Sequence, residues 1–259
     1  MFPRPLDPAR RDRSAAPGYR ERLYPPGVAE TDPLLVLLPS PLLGAATWRP
    51  VADRLAARSW EVRCCPSPPA ISTPGDVLAA QRAVLPVDRR LVLVAHSNAG
   101  LYVPSLTAEP GVLAAVFVDA GLPAEQGAVP LAPESMRTFL SRIVDVEGML
   151  PPWTEWWDPV AVDALFPDLP SRQAVEQEQS RLPLSYFHER LPVPDGWTRT
   201  PCAYVAFGDT YAEERGEAAR RGWPVRTLPG GHLHMLRDPD AVASTLVEVL
   251  QELGVDGAS

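Results

Sequence analysis

Leu91-Val92-Leu93-Val94-Ala95-His96-Ser97-Asn98-Ala99-Gly100 is an apolar run that ends on a serine set between small residues. A short apolar run rich in Val and Leu reads as a strand buried on both faces, the pattern of a parallel sheet. The residues from Ser97 onward read as a sharp turn into a helix. A serine at such a turn is held in a strained backbone, and its neighbours two positions away, Ala95 and Ala99, must be small for strand and helix to approach. Two roles fit Ser97 on these residues alone. It caps a helix, or its hydroxyl stands above the strand end, beside the first helical N–H groups.

Outward from this decapeptide, short apolar runs alternate with longer amphipathic segments. That alternation predicts an α/β fold with a mostly parallel sheet flanked by helices. Strands are expected at Leu34–Leu38, 61–65, 91–95, 114–118, 203–207 and Val225–Leu228, with helices at 48–58, 76–84, 98–108, 210–221 and 239–253. In the last helix Val242, Leu246, Val249 and Leu250 share one face at helical spacing. The alternation breaks between Leu122 and Trp197, where helix-like pieces (135–145, 159–165, 172–181) occur with no convincing strand, amid Trp153, Trp156, Trp157, Phe166, Tyr186 and Phe187. The expected organisation is an N-terminal extension over 1–30, a core over 31–122 and 198–259, and a helical insertion over 123–197.

The chain has 259 residues, 46% hydrophobic and 22% charged, with a formal charge of −8. The length suits one large domain with an insertion, and the negative balance with no basic stripe argues against a nucleic-acid partner. The Leu34–Leu38 run is too short to cross a bilayer, so no membrane association is expected. No apolar stretch follows the early arginines as a secretory signal would require, and the three cysteines form neither a disulfide framework nor a metal site. A cytoplasmic setting is the expectation. With no Gly-x-Gly-x-x-Gly, phosphate loop or metal spacing, no cofactor and no metal are expected; oligomeric state is left open.

The Ser97 turn resembles the nucleophile elbow of the α/β-hydrolase superfamily, with Ala95 and Ala99 where glycine is commonest. His232, in Leu228-Pro229-Gly230-Gly231-His232-Leu233-His234, resembles that superfamily's histidine loop, which comes just before the last helix. Of the other histidines, His96 lies within the elbow, its ring turned from the hydroxyl, His188 falls in the insertion, and His234 is the competitor two residues on. The third member of a triad is a carboxylate between serine and histidine at a strand end. Asp209, after the 203–207 strand, occupies the usual position, and Asp119, after 114–118, is the rival. The expected catalytic set is therefore Ser97, Asp209 and His232. The likeness covers residues 33–254 except for the insertion, which sits where such enzymes carry a cap.

The loop Pro39-Ser40-Pro41-Leu42-Leu43-Gly44-Ala45-Ala46-Thr47-Trp48 matches in length the His-Gly loop of small-molecule esterases and hydroxynitrile lyases. However, Pro39 and Ser40 replace His-Gly, and Pro41, which has no N–H, falls where the second oxyanion donor usually sits. The expected oxyanion hole is the Asn98 and Leu42 N–H groups, with the Ser40 hydroxyl as an alternative donor. Losing one donor costs about 3 kcal/mol. The resemblance thus implies a serine-dependent enzyme acting on a small or medium apolar ester or thioester through an acyl-serine. Two alternatives remain. One is a lyase, elimination or cyclisation enzyme using the Ser/His pair for proton transfer, and the other is a ligand-binding protein with a slow triad. Ser40, Trp153, Trp156, Trp157 and Tyr186 are the expected substrate contacts, enclosing an apolar small molecule. Richness in Ala, Pro and Arg suits a GC-rich bacterial source, where such enzymes tailor secondary metabolites.

Overall fold

The computed structural model describes residues 32–257. The extension expected over 1–30 lies outside the described residues. Six parallel strands form the central sheet: β1 (Leu34–Leu38), β2 (Glu61–Cys64), β3 (Leu91–Ser97), β4 (Val112–Ala120), β7 (Cys202–Phe207) and β8 (Val225–Leu228). Their order is β2-β1-β3-β4-β7-β8. The chain runs outward from β1 to β2, then returns to place β3 on the other flank of β1. Strand order therefore reverses between β1 and β3, the switch point beside whose carboxyl ends α/β sheets commonly hold ligands.

Composition explains the sheet. β1, β3 and β7 are buried along their whole length, and each fully buried Leu, Val or Phe contributes about 1.5–3 kcal/mol. Helices cover both faces and carry their own start signals. The helix Pro74–Ala83 opens on a capping box between Thr73 and Asp76. The Asp238 carboxylate caps the helix Pro239–Glu252 by accepting from the Ala241 N–H at 2.9 Å. That helix buries Val242, Leu246, Val249 and Leu250 against the sheet.

Between β4 and β7 the chain leaves the sheet and forms a cover of short helices, Glu134–Leu140, Pro159–Asp163 and Leu169–Glu176. The expectation of an all-helical insertion is corrected here. β5 (Gly127–Pro130) and β6 (Arg190–Val193) pair antiparallel as a two-stranded ribbon at its base. Each is four residues long and contains proline, so neither carries the apolar alternation that marks a strand. The cover touches the front of the core through Glu178, whose carboxylate accepts from the Ala46 N–H at 2.7 Å and pairs with Arg49. Gly44 (φ 81°) lies against the Glu178 backbone at this junction.

Close approach constrains the turn after β3. A methyl group on Gly100 would collide with the Gly121 carbonyl oxygen. Gly100→Ala is therefore expected to lose about 2 kcal/mol in urea denaturation, the usual cost of forcing a methyl into packed backbone. Gly75→Ala, near the start of a helix where a Cβ would meet only Thr73 Oγ1 at 3.4 Å, an ordinary contact, should be neutral or gain up to about 1 kcal/mol. Equal losses in both variants would refute the packing argument.

Candidate active site

Three elements bring the site together: the end of β3, the end of β4 and the loop after β8. Ser97 ends β3 with φ 58° and ψ −128°, a conformation an L-residue adopts only when its surroundings impose it. The strain lifts the hydroxyl clear of the strand end. The 3₁₀ turn Asn98–Tyr102 starts immediately after it, so the Asn98 N–H belongs to the first turn, with no carbonyl beneath it.

Asp119 reaches the site through a bulge. The β3–β4 register runs His96 to Val118 and then Ser97 to Ala120, so Asp119 is an extra residue on its strand. It has φ 42°, which aspartate tolerates better than most side chains. A bulge re-aims one side chain, and this one is clamped. The Tyr204 hydroxyl, from β7, donates to the Ala120 carbonyl at 2.6 Å and accepts from the Ala120 N–H at 3.0 Å. The Asp119 carboxylate, 0% exposed, accepts from the Phe207 N–H at 3.0 Å through Oδ1. Its Oδ2 lies 2.6 Å from His232 Nδ1.

A carboxylate only accepts, so Nδ1 of His232 carries the proton, and in the neutral ring Nε2 is left as a lone-pair acceptor. That Nε2 lies 3.1 Å from Ser97 Oγ. Exposure is 7% for Ser97 and 8% for His232, so little water competes for these bonds. The arrangement is an acid, an imidazole and an alcohol in sequence, able to take a proton from the alcohol and return it to a leaving group.

Asp209 does not join this set. Its side chain is 87% exposed and pairs with Arg215 at 3.0 Å. The 203–207 strand and the turn after it form as expected, but the turn directs Asp209 to solvent. Arg215 also donates to the Gly208 carbonyl at 2.8 Å, so Asp209 braces the turn that leads into the helix Ala212–Arg220. Tyr211, the last residue before that helix, places its hydroxyl 3.4 Å from Ser97 Oγ. Sequence reasoning passed over Tyr211; its position two residues after a strand-end Asp was the only pointer to it.

His96 is wholly buried beside His232, with ring centroids 4.5 Å apart. Its Nε2–H donates to the His232 carbonyl at 3.1 Å, which ties the elbow to the histidine loop. Burial first, and the His232 charge second, hold its pKa well below the usual histidine value. His234 points elsewhere, with its ring edge on Phe207, and His188 is exposed.

On the other flank, Ser40 is buried, and its carbonyl accepts from the Leu43 and Gly44 N–H groups. The Leu42 N–H, expected at the oxyanion site, faces Ser40 Oγ at 3.4 Å. The Asn98 side chain holds the cover by donating from Nδ2 to the Leu131 carbonyl at 2.9 Å. Its Oδ1 accepts from the Tyr186 hydroxyl at 2.9 Å, and that oxygen lies 2.6 Å from the Tyr102 hydroxyl. Trp153 is buried with its ring 6.0 Å from that of His232. Trp156 is pinned by its Nε1–H to the Pro151 carbonyl at 2.8 Å. Trp157 lies at the surface, stacked on Phe139. Trp153 is thus the tryptophan nearest the chemistry, and Trp156 and Tyr186 are fixed within the cover.

Residues 5–245 match the alpha/beta hydrolase family, and the chain belongs to it. No curated protein sequence matches the chain. Similar solved structures include an extracellular alpha/beta-hydrolase from a Paenibacillus species, described as homologous in structure and function to tobacco salicylic acid binding protein 2. It is 17% identical, with 84% of this chain and 98% of that one covered and a TM-score of 0.63. A pyrethroid hydrolase is 18% identical over 85% of this chain and 98% of its own, with a TM-score of 0.64. Tomato methylketone synthase I, complexed with 2-tridecanone, is 14% identical over 86% and 99%, with a TM-score of 0.63. At these identities the likeness establishes the shared fold. Among the described residues, no helix is long and apolar enough to cross a membrane.

The His96 environment has a measurable consequence. Unfolded, its imidazole takes a proton near pH 6.5, whereas folded it resists protonation, so the unfolded state binds more protons on acidification. Stability from this group is fully present above pH 6.5 and falls as the pH drops below it. His234, lowered by its partial burial, contributes with the same sign. Denaturation series should show this fall, with a shallower slope in His96→Gln. An unchanged slope would show that His96 titrates normally.

Proposed function

We propose that this protein is a serine hydrolase that cleaves a small or medium apolar ester through an acyl-serine at Ser97. The observation that carries the reading is the hydrogen-bonded series from Ser97 Oγ through His232 to Asp119, at 3.1 and 2.6 Å. In acylation His232 Nε2 takes the Ser97 proton as Oγ attacks the carbonyl carbon. Asp119 keeps the imidazole in the required tautomer and stabilises the imidazolium that forms. The Asn98 N–H, in the first turn of the helix, receives the developing oxyanion. The Leu42 N–H is held only by a 3.4 Å contact with Ser40 Oγ, so a small shift of the loop supplies the second donor. Trp153 and the buried cover exclude water from the acyl group.

One observation favours a second reading. Pro41 contributes no N–H, and the Leu42 N–H already faces a hydroxyl. Elimination or lyase chemistry, with His232 as base and no full oxyanion hole, asks less of that loop. A fluorophosphonate probe and a panel of p-nitrophenyl esters separate the two readings. The hydrolase reading expects probe labelling together with ester turnover, both lost in Ser97→Ala. Labelling without turnover favours the second reading.

The triad assignment has its own test. Asp119→Asn should lower kcat by about 10⁴-fold, as expected when the imidazole is left in the wrong tautomer. Asp209→Asn should cost about tenfold or less, since a surface brace acts only indirectly. His232→Ala should abolish labelling, whereas His234→Ala retains most of it. A larger loss in Asp209→Asn than in Asp119→Asn would overturn the assignment.

A further inference from the structure

The strand order puts Ser97 between two unlike neighbours. The Pro39–Gly44 loop follows β1, on one flank of β3, whereas Tyr211 follows β7, beyond β4 on the opposite flank. The loop that carries the Leu42 N–H therefore lies on one flank of Ser97 and the Tyr211 hydroxyl on the other, the side that His232 also occupies. The Tyr211 and His232 rings are 5.7 Å apart, and both point polar atoms at Ser97 Oγ, at 3.4 and 3.1 Å. While Ser97 donates to His232, its oxygen accepts from the Tyr211 O–H. The 3.4 Å separation is long for a hydroxyl bond and leaves Tyr211 free to turn to another acceptor.

We propose that the Tyr211 hydroxyl is a catalytic donor to the leaving-group oxygen, which makes the substrate an oxygen ester of an unactivated aliphatic alcohol, not a thioester. The inference rests on the serine-hydrolase reading above. When Oγ bonds the carbonyl carbon, the departing oxygen shares that carbon with Oγ and faces the His232 side, opposite the oxyanion. The Ser97 proton has passed to His232 Nε2; as the carbon–oxygen bond breaks, it moves on to the departing oxygen and releases the free alcohol. Tyr211 keeps its own proton throughout. Its hydrogen bond strengthens as negative charge builds on that oxygen, so it acts on the transition state more than on the bound ester.

Burial pushes the Tyr211 phenol up to about 12, which keeps it a donor at neutral pH. An alkoxide is the leaving group that gains most from such a donor. A p-nitrophenolate spreads its charge over the ring, and a thiolate sulfur is a weak acceptor. The turn that carries Tyr211 is braced by Arg215, through the Gly208 carbonyl and Asp209. This accounts for a strand-end aspartate that does not reach His232.

The experiment compares wild type and Tyr211→Phe on three substrates with one acyl group: an alkyl ester, a p-nitrophenyl ester and an alkyl thioester. kcat/KM reports acylation, the step in which the leaving group departs. The variant should lose about 30-fold on the alkyl ester, the order of one lost transition-state hydrogen bond, and less than about threefold on the other two. The urea denaturation midpoint should be retained and fluorophosphonate labelling should still reach completion, which checks the fold and the presence of a reactive Ser97–His232 pair. Equal losses on all three substrates, no loss on the alkyl ester, or a wild type that cleaves only the thioester would each overturn the proposal. Wild type that neither labels at Ser97 nor cleaves any ester would instead refute the hydrolase reading beneath it.

Discussion

The bond between Asp119 and His232 governs the site, and it exists because β4 carries one residue too many. Without the bulge, a side chain at the end of β4 would alternate above or below the sheet, as the pleat requires. With it, Asp119 turns to the edge and meets both the Phe207 N–H and the imidazole. The cost is a positive φ at a non-glycine residue, about 1–3 kcal/mol by general experience. Tyr204 offsets part of that cost by satisfying both backbone groups of Ala120 with one hydroxyl. Two strained residues, Ser97 and Asp119, thus sit on adjacent strands, joined by the Gly121 N–H to the Ser97 carbonyl at 3.0 Å.

Much of this was legible in the sequence. The four inner strands announce themselves as apolar runs because they are buried on both faces of the sheet, whereas the edge strands β2 and β8 are only half-buried and each carries an arginine, and the serine and the histidine loop stand at the ends of β3 and β8. The acid was not legible to the same degree. Asp119 and Asp209 both follow apolar strands, and nothing in local composition says which strand bulges. That depends on the pairing of Ser97 with Ala120 and on Tyr204 reaching across from β7, which are properties of the assembled sheet. The β5–β6 ribbon was hidden for a different reason. Its two short segments gain their stability from each other across the whole length of the cover, and their prolines and Arg190 disguise them as loop.

The cover and the core share a residue at the elbow. Asn98 offers its backbone to the space above Ser97 and its side chain to Leu131 and Tyr186. A hydrogen-bonded series from Tyr102 through Tyr186 to Asn98 therefore fixes the turn and the cover together. These hydroxyls are deeply buried, and burial raises both phenols above their ordinary range, so the series stays neutral and its bonds stay made. A buried network satisfied in this way specifies one arrangement. Glu178 provides a second tie at the mouth of the β1 loop. The cover is thus tied at the places where oxyanion donors would have to be positioned.

The same geometry bears on why a proline is tolerated in the loop after β1. Proline removes a donor but fixes its own backbone, and two N–H groups close the loop onto the Ser40 carbonyl. The proposed acyl-serine mechanism needs charge stabilised on two oxygens in turn, the oxyanion and the departing alkoxide. A site with a lean oxyanion hole benefits disproportionately from a donor on the other side, because the two charges are parts of one tetrahedral group. Tyr211, brought from β7 by the turn that carries Asp209 to the surface, stands on that side. The two departures from the expected pattern, a proline where a donor was due and an aspartate replaced at the imidazole by its rival, are then connected. With the acid on β4, the β7 turn is free to bring the Tyr211 hydroxyl to 3.4 Å from Ser97 Oγ.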